Sequence, residues 1–236
     1  MFIQNLSAIH HIIENAPRRI ERLEILSTHS QRAKSLLDLA RSLNIPCSGG
    51  KRGSENGEPL GAYLKPFEYL PFEVLLDQVR NAKAPSVILA LDHLQDPQNF
   101  GAICRSTEAM GVAGLLIPKD RSISVTEGVY SASVGAVETI PIVRVTNLSA
   151  SLRTLKENEY WICGTGNTPE AYAPWKIPVR DRVVLVMGAE HSGISHGLEK
   201  AIDFWTSVPL SGKVESLNVS VAAALLIYEL RMNRGV

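Results

Sequence analysis

SVILALDHLQDPQNFGAICRSTEAMG, Ser86 to Gly111, decides the architecture. Its first six residues are apolar almost without a break and lie between Pro85 and Asp92. A strand with one wet face alternates apolar and polar residues, whereas an unbroken run suits a strand covered on both faces, as in a parallel sheet. A polar turn with Pro97 follows, and the spacing predicts a helix over 100–110. Asn99-Phe100-Gly101 opens that helix, with Asn99 a good N-cap for its first free N–H groups. Strand, turn and helix make one β–α unit.

Working outward, apolar runs recur at 113–117, 141–145, 161–164, 183–187 and 205–208. Helical stretches at 126–134, 148–157, 196–201 and 219–234 separate or follow them. The alternation predicts an α/β fold, a mostly parallel sheet with helices on both faces. Upstream, helices are expected at 6–15, 31–44 and 72–80, with strands at 22–26 and 45–48 and apolar character returning at 63–67. The Gly-rich polar stretch 49–59 reads as a loop. A small α/β unit therefore ends near residue 80, and two domains are expected, 1–80 and 81–236.

Twenty-four Lys and Arg balance twenty-four Asp and Glu in 236 residues, so net charge neither supports nor excludes a nucleic-acid partner. Any phosphate-binding surface must come from local clustering. In the first domain the basic clusters are Arg18, Arg19 and Arg22, and Lys51 with Arg52; a solvated charged face is the alternative reading. Cys47, Cys104 and Cys163 show no metal-ligand spacing and cannot pair completely, which points to a reducing, cytoplasmic setting with no metal. No apolar run is long enough to cross a membrane, and no secretory leader pattern opens the chain.

Three segments place glycine or polar residues at the carboxyl ends of expected strands, where open α/β sheets bind ligands. In the first, Arg105 follows Asn99 by six residues; it is either a surface arginine paired with Glu108 or a planar clamp for a phosphate. In the second, VVLVMGAEHSGIS (183–195), Gly188 permits close backbone approach and Glu190 sits in a turn closed by Gly193. The third, VPLSGKVESLNVSVAAALLIYELRMNR (208–234), puts Ser216-Leu217-Asn218 before a strongly apolar helix. Either Ser216 or Asn218 could be only its N-cap. That helix suits burial on more than one side, in the core or at a subunit interface. No Gly-x-Gly-x-x-Gly and no phosphate loop is present, which argues against a dinucleotide oxidoreductase.

Together the segments resemble the motif set of the SpoU branch of the SPOUT RNA 2′-O-ribose methyltransferases. The matching stretches are N-x-G-A-x-x-R-S at 99–106, M-G-A-E-x-x-G at 187–193 and S-L-N-V-S-V-A-A-A at 216–224, in the family's order and spacing. Within the branch, the likeness is greatest to enzymes that methylate a guanosine ribose in bacterial 23S ribosomal RNA. The resemblance implies a knotted (trefoil) sheet and a small N-terminal L30e-like domain that recognises RNA. One departure is that relatives usually carry a longer stretch with a His-Gln-Gly turn where this chain has only the short polar region 54–60.

The resemblance further implies S-adenosyl-L-methionine as cofactor, held by Thr165, Gly188, Val208, Leu210 and Leu217. Asn99, Arg105, Glu190, Ser216 and Asn218 would surround the target hydroxyl, with Arg105 binding its phosphate and Glu190 taking the proton or orienting Arg105. A homodimer and an RNA partner, ribosomal in the first instance, are implied too. Transfer RNA as substrate, or a non-catalytic ribosome-assembly protein on the same fold, are the competing expectations.

Overall fold

A computed structural model describes residues 1–27, 30–50, 57–81, 85–178, 181–189 and 193–232. The chain divides into one unit of Met1–Glu68 with Ser124–Thr139 and another of Tyr69–Ile123 with Ile140–Val236.

In the first unit the elements are β1 (Phe2–Ile3), α1 (Leu6–Asn15), β2 (Ile20–Ile25), α2 (Gln31–Ser42), β3 (Cys47–Gly49) and β4 (Leu60–Leu64). Ile9, Ile12 and Ile13 recur at helical spacing, so α1 buries one stripe; Asn5 caps it by accepting from the Ala8 N–H at 2.9 Å. The sheet order is β1-β4-β2-β3, with β2 and β3 parallel and the other pairs antiparallel. Residues 124–139 join this unit through a buried carboxylate. Glu138 accepts from Arg19 Nε at 2.8 Å and from the Tyr130 hydroxyl. Both of its oxygens are thus engaged, the condition under which a buried charge is tolerated.

The second unit contains α3 (Phe72–Arg80), β5 (Ser86–Leu91), α4 (Pro97–Ala109), β6 (Gly114–Pro118), β7 (Ile142–Val145), α6 (Leu148–Glu157), β8 (Trp161–Thr165), β9 (Arg182–Met187), α7 (His196–Glu199), β10 (Phe204–Thr206) and α8 (Val219–Arg231). The short α5 (Glu127–Ser133) lies with the first unit. Six strands run in the order β10-β8-β9-β5-β6-β7, every pair parallel. All six residues of β5 are buried, as an unbroken apolar run requires. Ile88, Ala90, Leu116, Val143, Val184 and Val186 pack under Leu75 and Val79 of α3 and Leu148, Leu152 and Leu155 of α6. The alternate residues Val87, Leu89 and Leu185 are equally buried, and α8 packs against β5 and β9 and against α4. Each such Val, Ile or Leu contributes roughly 1.5–3 kcal/mol by leaving water.

Three local expectations are corrected. Helix α4 starts at Pro97, and its cap is Asp96, whose carboxylate accepts from the N–H groups of Gln98 (3.3 Å) and Asn99 (2.9 Å). Proline at the first helical position loses no needed N–H, so the Asp-Pro pair outcompetes Asn99 for the cap. Arg105 consequently stands on the third turn, where a helix opening at Asn99 would have put it on the second. Strand β10 ends at Thr206, which leaves Val208 beyond it.

Candidate active site

Gly188 follows the last residue of β9 where a side chain has no room. A Cβ there would collide with the backbone of Gly193 and Ile194, so only glycine fits. Ala189 and Gly193 exchange two backbone hydrogen bonds of 3.0 Å. The segment after Gly193 is tied to the neighbouring strand by Asp92, which is 2% exposed and directly follows Leu91, the last residue of β5. One carboxylate oxygen accepts from the Ser195 N–H at 2.7 Å, and the other lies 2.5 Å from Nδ1 of His93. His93 itself adopts a left-handed conformation (φ 59°), turning the chain out of β5 toward α4.

Thr165 ends β8 and donates its hydroxyl to the Val186 carbonyl at 3.0 Å, which fixes this strand end against β9. Downstream of β10, residues 207–217 lead to α8. Asn218 caps that helix, its amide oxygen accepting from Ser220 N at 2.9 Å. The amide nitrogen of Asn218 donates to Asn99 Oδ1 at 2.9 Å, so the starts of α4 and α8 are joined side chain to side chain. At the other end of α8, Arg231 donates from Nε to the Met110 carbonyl at 3.1 Å and from a terminal nitrogen to the Pro85 carbonyl.

These loops line an open cavity of about 1020 Å³, at the upper end of the ~300–1,000 Å³ usual for small-molecule sites. Thr165, Gly188, Val208, Leu210 and Leu217 all line it, as do Ser216 and Asn218. Asn99 does not line it but is bound to Asn218. Arg105 is exposed on α4 and forms no ion pair with any described residue, Glu108 included. Glu190 lies outside the described residues, as do Lys51 and Arg52. Sequence reasoning missed Asp92, whose only signal was a carboxylate ending an apolar run, and it missed Asn167, Thr206 and Glu215, which also line the cavity. Among the described residues no group of His, Cys, Asp or Glu could hold a metal ion, and no helix is long and apolar enough to cross a membrane.

A six-stranded parallel sheet with one loop-walled cavity at its carboxyl edge defines a ligand-binding α/β protein. Residues 86–228 match the SpoU rRNA Methylase family, and the chain belongs to that family. Over 98% of its length, and 95% of the relative's, it is 33% identical to the 23S rRNA (guanosine-2′-O-)-methyltransferase RlmB of Coxiella burnetii. A Staphylococcus saprophyticus protein assigned to the TrmH family of tRNA/rRNA methyltransferases is 40% identical over 75% of this chain and 70% of its own. The fold is that of the SpoU methyltransferase AviRb of Streptomyces viridochromogenes, solved with the cofactor AdoMet. TM-score is 0.80 at 20% identity, covering 99% of this chain and 90% of that one.

Proposed function

We propose that the chain transfers a methyl group from S-adenosyl-L-methionine to a ribose 2′-hydroxyl of RNA, at a guanosine of 23S ribosomal RNA. The observation that carries this reading is the convergence of Gly188, Val208 and Leu217 on one cavity with Ser216 and Asn218 at its wall. The cavity fits the donor: Val208, Leu210 and Leu217 offer apolar walls for an adenine, and Gly188 lets backbone approach a ligand. The bound sulfonium supplies an activated methyl group, so the protein need only position the hydroxyl in line and draw off its proton.

The chain's own residues are suited to that task. The Asn218–Asn99 bond holds two helix starts together beside the cavity, and Ser216 adds a hydroxyl there. Arg105, exposed and unpaired among the described residues, is available to clamp the phosphate next to the target ribose. Glu190 would accept the proton or orient Arg105. The first unit, with its mixed four-stranded sheet, would act as the L30e-like RNA-recognition domain. Return of the chain from β10, at the sheet edge, to α8 against the central β5 and β9 supports a trefoil knot.

Helix α8 also supports a homodimer. Val221, Leu225, Tyr228 and Met232, spaced i, i+4, i+7 and i+11, form an apolar stripe that is 45–58% exposed. An apolar stripe of this kind marks an interaction surface.

Whole-chain similarity to a 23S rRNA enzyme favours ribosomal over transfer RNA. The test is incubation of the purified protein with labelled donor and either 23S rRNA or total tRNA, followed by mapping of ribose methylation. Label in a 23S guanosine is expected. Label only in tRNA, or none in either RNA with donor bound, would overturn the reading.

A further inference from the structure

The cavity walls are apolar, hydroxyl, amide or backbone at every described position except one. Glu215, one residue before Ser216, is the sole ionisable side chain among the described residues that line it. Lys213, two residues upstream, does not line it. An exposed carboxylate in a loop is ordinarily solvated surface, but this one faces a space fitted to a charged guest.

S-adenosyl-L-methionine carries a sulfonium, an ammonium and a carboxylate, a net charge of +1. Transfer breaks the sulfur–methyl bond and leaves the electron pair on sulfur. The product, S-adenosylhomocysteine, is therefore a neutral thioether of nearly the same shape. Hydrogen bonds and apolar walls bind the two almost equally, and a site built only of those would be clogged by its product. A fixed negative charge acts on the difference between them.

We propose that Glu215 is a specificity-determining residue that favours the charged donor over the spent product through the field of its carboxylate. The inference rests on the donor reading above and adds the basis of discrimination within that site. Because Glu215 is exposed, its field acts largely through water, and the expected preference is about three- to tenfold. The preference should fall as salt is raised, since the screening length shrinks from ~30 Å at 0.01 M to ~3 Å at 1 M.

The experiment is calorimetric titration of the full chain and of Glu215→Gln and Glu215→Asp, with S-adenosyl-L-methionine and S-adenosylhomocysteine separately, at low and high salt. Glu215→Gln is expected to lose about three- to tenfold in donor affinity with product affinity unchanged. Glu215→Asp should keep the preference, and high salt should erase it in the parent. Equal losses for both ligands would make Glu215 a merely structural part of the wall and overturn the proposal, as would an unchanged ratio. A folded parent that takes up neither ligand would sink the donor reading itself, and this inference with it.

Discussion

At Gly188 the backbone of Gly193 and Ile194 occupies the space a methyl group would need. Gly188→Ala must displace the backbone of Gly193 and Ile194, so the variant should bind S-adenosyl-L-methionine at least tenfold more weakly by calorimetry and melt earlier. Asp92 offers a second residue-level test. Asp92→Ala removes the buried acceptor of the Ser195 N–H and should cost roughly 1–3 kcal/mol in denaturant unfolding. An unchanged midpoint would show the tie to be dispensable. The thiols give a third. Burial pushes Cys104 and Cys163 far above the ordinary thiol range and also raises half-buried Cys47, where the Arg41 charge partly opposes it. The neutral thiol is the unreactive form. A disulfide reagent at pH 8 should therefore label at most Cys47 in the folded chain and all three cysteines after unfolding.

At the scale of elements, sequence periodicity was most informative where a helix lays one apolar stripe on a sheet. The extents of α1, α3 and α6 coincide with the spacing of Ile9, Ile12 and Ile13, of Leu75, Leu76 and Val79, and of Leu148, Leu152 and Leu155. Boundaries fixed by side-chain chemistry were less legible. The start of α4 depends on Asp96 winning over Asn99, a competition decided by Pro97. Strand β1 spans two residues, too few to show any period, and is held by pairing with Tyr63 and Ala62 across the sequence. The same limit hid Asp92, since nothing local says that Ser195 returns to it. By contrast, Gly188, Val208 and Leu217, which line the cavity, entered through motifs that resemble the family's, the first two within two residues of a strand end and Leu217 just ahead of α8. Helix α8 is the element whose outer face invites a test. Leu225→Glu with Tyr228→Glu puts two charges on its exposed stripe, and a dimer seen by light scattering in the parent should become a monomer, with folding retained.

For the whole molecule, fold and site follow from one arrangement: parallel strands gather their carboxyl ends on one edge, and the loops leaving them build the cavity. What the sequence could not announce is that residues 124–139 belong with the N-terminal unit. Their tie runs from Glu138 to Arg19, over a separation of 119 residues that periodicity does not sense.

Helix α8 is fastened at both extremities, to Asn99 where it begins and to the Met110 and Pro85 carbonyls where it finishes. A helix pinned twice makes a poor door. Admission of a guest to the chamber beside it then falls to the unhelical stretch 208–217, which shows no comparable tether to the described residues, the last one upstream being the Ser207 N–H on the Tyr172 carbonyl at 3.1 Å. Hydrogen–deuterium exchange should then slow on ligand uptake along 208–217 while amides of 222–230 keep their rates.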